Sequence, residues 1–151
     1  MARDLAHFKK SLQDKKSQMY KGAKSAMSAV ITAFAETAIR GTPADTGKAR
    51  SSYEGSVGSP ARGDRAPYSP GKHLGINETK NADAALAQIG GALNRWDIGK
   101  VKSFYLSNAT GYLGLLNAGG HSTQSPRGGF LERAGISVKV EARKHTILRR
   151  V

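Results

Sequence analysis

The feature that most constrains this chain is a long amphipathic stretch near its N-terminal end. From Asp4 to Ile39 most apolar residues follow one another at steps of three or four, the spacing of one side of an α-helix. The members of this row are Leu5, Phe8, Leu12, Met19, Ala23, Met27, Val30, Ile31, Phe34 and Ala38. The pattern predicts one helix whose apolar row is weak before Gly22 and strong after it.

A helix of this length is too long for the rest of the chain to cover. About 35 residues at ~1.5 Å each give about 50 Å. The chain has 151 residues, of which 38% are hydrophobic and 18 are glycine. This composition predicts a thin, loop-rich core that partners help to stabilise. We therefore expect the first half of the helix to project, to bend at Gly22 or to pack on another subunit.

The remaining pattern predicts an α+β fold. The first helix should end near Arg40, with Gly41 as a left-handed cap and Pro43 just beyond it. We then expect a strand at 49–57, a long irregular loop at 58–76, a helix at about 80–93 with Asn77 or Thr79 as its cap, a strand at 100–107, a helical turn at 112–116 and a helix at about 128–141.

These elements predict one domain over residues 1–151. It consists of the long N-terminal helix (1–40), an α+β core (41–135) and a basic C-terminal segment (136–151). The core should hold a small, mostly antiparallel sheet with one further long helix and a short helix packed on it. Arg143, Lys144 and His145 are interpreted as part of a flexible tail.

Both ends of the chain are strongly basic. Lys and Arg total 24 against 11 Asp and Glu, a formal charge of +13, and residues 1–24 and 125–151 each carry seven bases and two acids. Such a field attracts phosphate backbones or acidic protein surfaces, or simply keeps a chain in solution. The candidate DNA-facing residues are Lys9, Lys10, Lys15, Lys16, Arg143 and Lys144. A solvated helix face is the alternative for the lysine rows.

Nothing in the sequence carries the signature of an enzyme or a cofactor site. The chain has no cysteine, and its four histidines are scattered without metal-ligand spacing. The segment 41–48 differs from a phosphate-binding loop, because five residues separate its glycines and Ala49 follows Lys48. The most apolar window, 26–39, is shorter than the roughly 20 residues of a membrane span. We expect a soluble cytoplasmic product without a membrane partner.

Two short motifs carry a family resemblance. The first is Thr-Pro-Ala-Asp-Thr-Gly-Lys-Ala-Arg at 42–50, directly after the long helix. The second includes Asn108, Tyr112, the glycines at 119–120 and Ser-Pro-Arg-Gly at 125–128. Together, over about 33–132, these motifs resemble the small neck or tail-completion proteins of tailed bacteriophages. The chain departs from that pattern at 117–118, where Asn-Ala stands in the region of the family's glutamate.

The resemblance implies a structural role in a virion, at the junction of head and tail. Members of such a family are mixed α/β subunits that form a ring, commonly six-fold, between the head connector and the tail tube. The implied partners are further copies of the chain, connector or stopper proteins, tail or tail-tube proteins, and packaged double-stranded DNA held by non-specific contact. The alternative, from charge alone, is a freestanding basic nucleic-acid-binding protein.

The interface residues expected on this basis belong to the two motifs, with one addition. Trp96 is added as an anchor in the core or at a subunit interface, because large aromatic side chains dominate both. The full set is Thr42, Pro43, Asp45, Thr46, Gly47, Arg50, Trp96, Asn108, Tyr112, Pro126 and Arg127.

Overall fold

A computed structural model describes residues 2–63, 65–71, 75, 77–120 and 129–145. Its elements confirm the predicted α+β class. They are α1 (Ala2–Gly41), α2 (Lys48–Ser51), β1 (Tyr53–Val57), α3 (Glu78–Arg95), β2 (Phe104–Asn108), α4 (Leu113–Ala118) and α5 (Phe130–Lys144). The described parts of the 58–76 loop contain no helix or strand, as expected.

Helix α1 runs through Gly22 without a break. Its N-terminal half projects from the rest of the chain: from Asp4 to Ala23 every residue except Ser11 is exposed. These 20 residues extend about 30 Å at ~1.5 Å per residue. The C-terminal half is covered instead, and Ala35, Ala38 and Ile39 are fully buried there.

The core lies where the second half of α1, α3, α5 and the sheet meet. Alanine supplies many of its buried positions, which lets the helices approach closely and leaves little apolar volume. Trp96, Phe130, Ile39 and Ile89 are its largest fully buried apolar side chains. The core is therefore thin, as the composition predicts.

The sheet has two antiparallel strands, and its register pairs Tyr53 with Asn108 and Val57 with Phe104. Helix α3 packs against β1 at Gly55, where a Cβ would lie 2.8 Å from Phe104 Cζ and 3.2 Å from Ile89 Cα. Gln88 of α3 reaches the same residue: its side chain accepts from Gly55 N at 2.9 Å and donates to Gly55 O at 3.1 Å. Gly55 thus fixes the distance between helix and strand.

Helix α5 packs antiparallel on α1. Phe130, at its start, lies beside Gly41, and Ser137, in its middle, donates to Ala33 O at 3.0 Å. The prediction that Arg143 and Lys144 belong to a flexible tail is wrong, because α5 continues through Lys144. Packing against α1 extends the helix beyond the predicted end near residue 141.

Two strand predictions differ from the structure at their N-terminal ends. Residues 48–51 form a helical turn, because Gly47 adopts φ 82° and the amides of Ser51 and Ser52 donate back to Gly47 and Lys48 carbonyls. Residues 100–103 precede β2, since the Asp97 carbonyl accepts from Lys100 N and Val101 N in a turn. Asn77 precedes α3, as predicted, but its side chain makes no capping hydrogen bond and donates to Pro70 O.

Candidate assembly interface

The 42–50 motif forms a buried network of hydrogen bonds between α1, β1 and α3. We call this hydrogen-bond network the knot. Thr42 is fully buried; its hydroxyl donates to Ala38 O at 2.7 Å and lies 3.1 Å from the hydroxyl of Tyr53. Arg50 is 7% exposed and binds two carbonyls, through Nε to Thr42 O at 2.6 Å and through Nη2 to Arg40 O at 3.1 Å. These bonds satisfy carbonyls that the end of α1 would otherwise leave unpaired.

Asn81 of α3 is the hub of this knot. It is fully buried, and its Oδ1 accepts from Ser51 Oγ and Ser69 N, each at 2.8 Å. Its Nδ2 donates to Ser69 O at 2.8 Å and to Asn77 O at 3.0 Å. An asparagine amide has two donors and two acceptor positions, so every one is used. Asn81 therefore ties α2, the 58–76 loop and the start of α3 together.

Burial shifts two ionisation equilibria in the knot. It raises the pKa of Tyr53 to about 12, against which the Thr42 hydrogen bond acts. It also lowers the pKa of Arg50, while the Glu78 carboxylate, 3.6 Å away, opposes the shift. Glu78 thus compensates for part of the cost of placing a guanidinium among buried carbonyls.

The predicted interface residues that the structure describes differ in their exposure. Five are buried by this chain's own residues and present no surface to a partner; they are Thr42, Pro43, Gly47, Arg50 and Trp96. Asp45, Thr46 and Tyr112 are exposed. Asn108 is half-buried and donates to Ala49 O at 2.8 Å, which links β2 to the knot. Pro126 and Arg127 lie outside the described residues.

Trp96 is a core residue of this chain. It is fully buried, its Nε1 donates to Val101 O at 2.7 Å, and its ring lies 5.5 Å from that of Phe104 in a tilted arrangement. Of the two roles that the sequence left open, the structure gives Trp96 the core role.

The projecting half of α1 exposes five large hydrophobic side chains, four of which lie on one side of the helix, whereas Tyr20 lies about 90° away. We call Leu5, Phe8, Leu12 and Met19 the apolar stripe; their exposed fractions are 57%, 59%, 50% and 74%. Leu5, Leu12 and Met19 are seven residues apart from one to the next. Seven residues make almost two full turns, so these side chains lie on the same side of the helix and shift by only about 20° per step. The same steps continue to Ala33, whose carbonyl bonds to α5. The stripe therefore continues the side of α1 that α5 covers.

A second apolar feature lies between α1, β2 and α5. We call it the apolar groove: it has a volume of about 190 Å³ and is lined by Val30, Ile31, Phe34, Phe104, Leu106 and Val138. A cavity of about 150 Å³ admits a benzene ring. The groove is therefore large enough for one aromatic side chain.

The candidate DNA-facing residues lie at two places. Lys9, Lys10, Lys15 and Lys16 are exposed on the projecting half of α1. Arg143 and Lys144 are exposed at the end of α5, where Lys144 pairs with Glu141 at 2.7 Å. Since α5 is antiparallel to α1, its basic end points toward the basic half of α1.

Within the described ranges, no cluster of three or more His, Asp or Glu side chains is arranged to hold a metal ion. The described helices also include none that is long and apolar enough to cross a membrane. Comparisons with protein-family models, with curated proteins and with solved structures find no significant match.

Two important groups escaped the sequence reasoning. Asn81 resembles any polar helix residue, and its partners lie at distant positions in the chain, so no local signal marks it. Asn117 is similar: its side chain donates to Glu132 and accepts from Leu131 N at 2.9 Å, which fixes α4 to the start of α5. It stands in the region where the resembled family has a glutamate.

Proposed function

We propose that the protein is a structural subunit of a tailed bacteriophage, forming an oligomeric ring at the head–tail junction. The ring would join connector to tail and surround the DNA channel, with six copies as the family resemblance implies. The observation that carries the proposal is the apolar stripe, which this chain leaves uncovered on a helix that projects about 30 Å. In this proposal the motif residues belong to the knot around Asn81, and the role of the knot is to orient α1.

The magnitudes favour assembly through more than one contact. Complete burial of a Leu, Phe or Met side chain contributes roughly 1.5–3 kcal/mol, so covering the exposed parts of four contributes about 5 kcal/mol. Association costs roughly 4–15 kcal/mol in lost freedom. Burial of one stripe at a single contact therefore barely offsets the cost of association and gives only a weak dimer. A closed ring is stronger, because each copy both donates a stripe and receives one.

The apolar groove is the surface we propose for receiving the stripe of the next copy. Phe8 and the groove residue Val30 are 22 positions apart on one continuous helix, a separation of about 33 Å. They therefore cannot meet within one copy. Two complementary surfaces at different places on one subunit generate a ring or a filament rather than a closed dimer.

The test compares two substitutions with the same charge change on the same exposed half-helix. Phe8→Glu removes the aromatic side chain of the stripe, whereas Gln13→Glu lies about 140° away around the helix. Sedimentation velocity should show assembly for the wild type and for Gln13→Glu, and monomers for Phe8→Glu. If all three sediment alike, the stripe does not hold copies together.

A mixing experiment tests the proposed pairing itself. Val138→Glu disables the groove and keeps the stripe, whereas Phe8→Glu does the opposite. Each variant alone should remain monomeric, and an equimolar mixture should form dimers with one intact contact. A mixture that stays monomeric would contradict the pairing of stripe with groove.

The second candidate is a freestanding basic nucleic-acid-binding protein, favoured by the formal charge of +13. Such a protein binds duplex DNA as a monomer, and its affinity falls steeply with salt. A monomeric wild type with that behaviour would favour this candidate over the ring.

A further inference from the structure

An open concave space of about 550 Å³ lies between the projecting half of α1 and the end of α3. Its basic lining residues are Lys16, Lys21 and Lys24 of α1 and Arg95 of α3, and its one acid is Asp97. We call these four bases the basic elbow.

The positions of these bases are set by contacts with the core. Lys24 Nζ donates to Asn94 O at 3.0 Å, which caps the C-terminal end of α3 with a cation. Lys16 Nζ lies 5.8 Å from the centre of the Tyr20 ring, and a Cβ at Gly99 would lie 3.8 Å from that ring. Helix α1 therefore leaves the core at a defined angle, and the elbow is a preformed feature.

The charge of the elbow is not neutralised within the described part of the chain. No Asp or Glu there lies within ion-pair distance of Lys16, Lys21, Lys24 or Arg95. Four bases without an ion-pair partner face one lining carboxylate, that of Asp97, which pairs with Lys100 at 3.7 Å, so the concavity has a net positive field that raises the local concentration of anions. Such a surface fits a regularly charged polyanion.

Two of the three elbow lysines of α1 lie on the side of the helix away from the apolar stripe. At about 100° per residue, Lys10, Lys21 and Lys24 lie roughly 130–170° from the mean direction of the stripe, whereas Lys16 lies about 50° from it. One side of α1 is thus available for copies of the chain while the other remains free for a second partner. Lys10 extends the elbow's basic side toward the tip of the helix.

We infer that the basic elbow binds the sugar-phosphate backbone of duplex DNA without reading sequence. Lysine ammonium groups are point charges that suit phosphates. Of the two aromatic residues that line the concavity, Trp96 is fully buried and Tyr20 is 38% exposed beneath Lys16 Nζ, so the elbow lacks the series of open rings on which successive single-stranded bases stack. This inference rests on the proposed function and names the surface that would face the DNA channel.

The test compares two triple variants of equal net charge in the full-length protein. The elbow variant carries Lys21→Gln, Lys24→Gln and Arg95→Gln. The control variant carries Arg62→Gln, Lys80→Gln and Lys139→Gln, at exposed positions outside the elbow. Binding to a fluorescent duplex of about 30 base pairs is measured between about 50 and 300 mM salt.

The elbow variant should bind about 10²-fold more weakly near 0.1 M salt. Its log–log salt slope should fall by about two to three, since each lost phosphate contact lowers the slope by about one. The control should lose less than about threefold and keep its slope. Equal losses in both variants would overturn the inference, because binding would then follow net charge alone.

Two further measurements separate the possible failures. The first is the binding of a poly-glutamate peptide. If the elbow variant binds this peptide more weakly than the wild type does but binds the duplex equally well, the surface fits an acidic protein and the inference is overturned. Sedimentation of the elbow variant should show wild-type assembly. If the wild type never assembles but its duplex binding depends on the elbow, the inference stands and the proposed ring fails.

Discussion

Replacement of Asn81 by alanine tests whether the knot holds the fold together. The change removes four hydrogen bonds made by a fully buried amide, two of them to the backbone of Ser69. At about 1 kcal/mol of net contribution each, the loss is about 4 kcal/mol. Alanine's better helix propensity returns about 0.5 kcal/mol. We expect a net loss of about 3.5 kcal/mol in the free energy of unfolding.

The matched control is Asn94→Ala, on the same helix but exposed. It makes the same chemical change without the buried bonds, so the free energy of unfolding should change by less than about 0.5 kcal/mol. Urea unfolding at a fixed protein concentration measures both variants, with fluorescence of the single Trp96 as the probe. A loss below about 1 kcal/mol for Asn81→Ala would refute the hub role.

Three further predictions concern residues of the same knot. Gly47→Ala should lower the free energy of unfolding by at least about 2 kcal/mol, because φ is 82° and a Cβ would overlap the Asn81 amide. Thermal unfolding measures this loss, and an unchanged stability would contradict the packing of Gly47 on Asn81. Arg50→Met should cost about 2–4 kcal/mol, because the carbonyls of Thr42 and Arg40 lose a buried donor; urea unfolding at neutral pH checks it, and a cost like that of an exposed arginine, such as Arg62→Met, argues against it. The pKa of Tyr53 is about 12 when folded and near 10 when unfolded, so this residue's contribution of about 2–3 kcal/mol should be present below pH 10 and lost between pH 10 and 12. Tyr53→Phe should flatten that part of the stability–pH curve, and an unchanged curve would exclude Tyr53 as its source.

The long helix was the easiest element to predict. Its period-3.6 apolar row depends only on local spacing, and Gly22 does not break it, because one exposed glycine costs about 1 kcal/mol against many helical hydrogen bonds. The same local pattern predicts the end of α1 near Arg40, but the prediction of Gly41 as a left-handed cap is wrong, because α1 includes Gly41 and its φ is not positive. The exposure of the projecting half was also foreseeable, since the chain lacks the apolar residues to cover it.

The strand boundaries depended on contacts that the local sequence does not show. Residues 49–51 are equally compatible with strand and helix, and the positive φ of Gly47 decides between them. The extension of α5 through Lys144 depends on packing against α1, so the basic residues there look like a tail in isolation.

The candidate surfaces were predictable only in part. The lysines of α1 were visible as basic runs, but the elbow also needs Arg95, which the fold brings beside Lys24. The sequence predicts the motif at 42–50 as an interface, whereas most of its side chains are buried or hydrogen-bonded within the chain. Short motifs do not reveal whether a buried network or an exposed contact keeps them together.

The mass of the assembled wild-type protein tests the central proposal most directly. Native mass spectrometry, supported by sedimentation equilibrium across protein concentrations, should show one discrete closed species near six times the chain mass of 16.0 kDa. A species of 16.0 kDa at every concentration would contradict assembly through the apolar stripe.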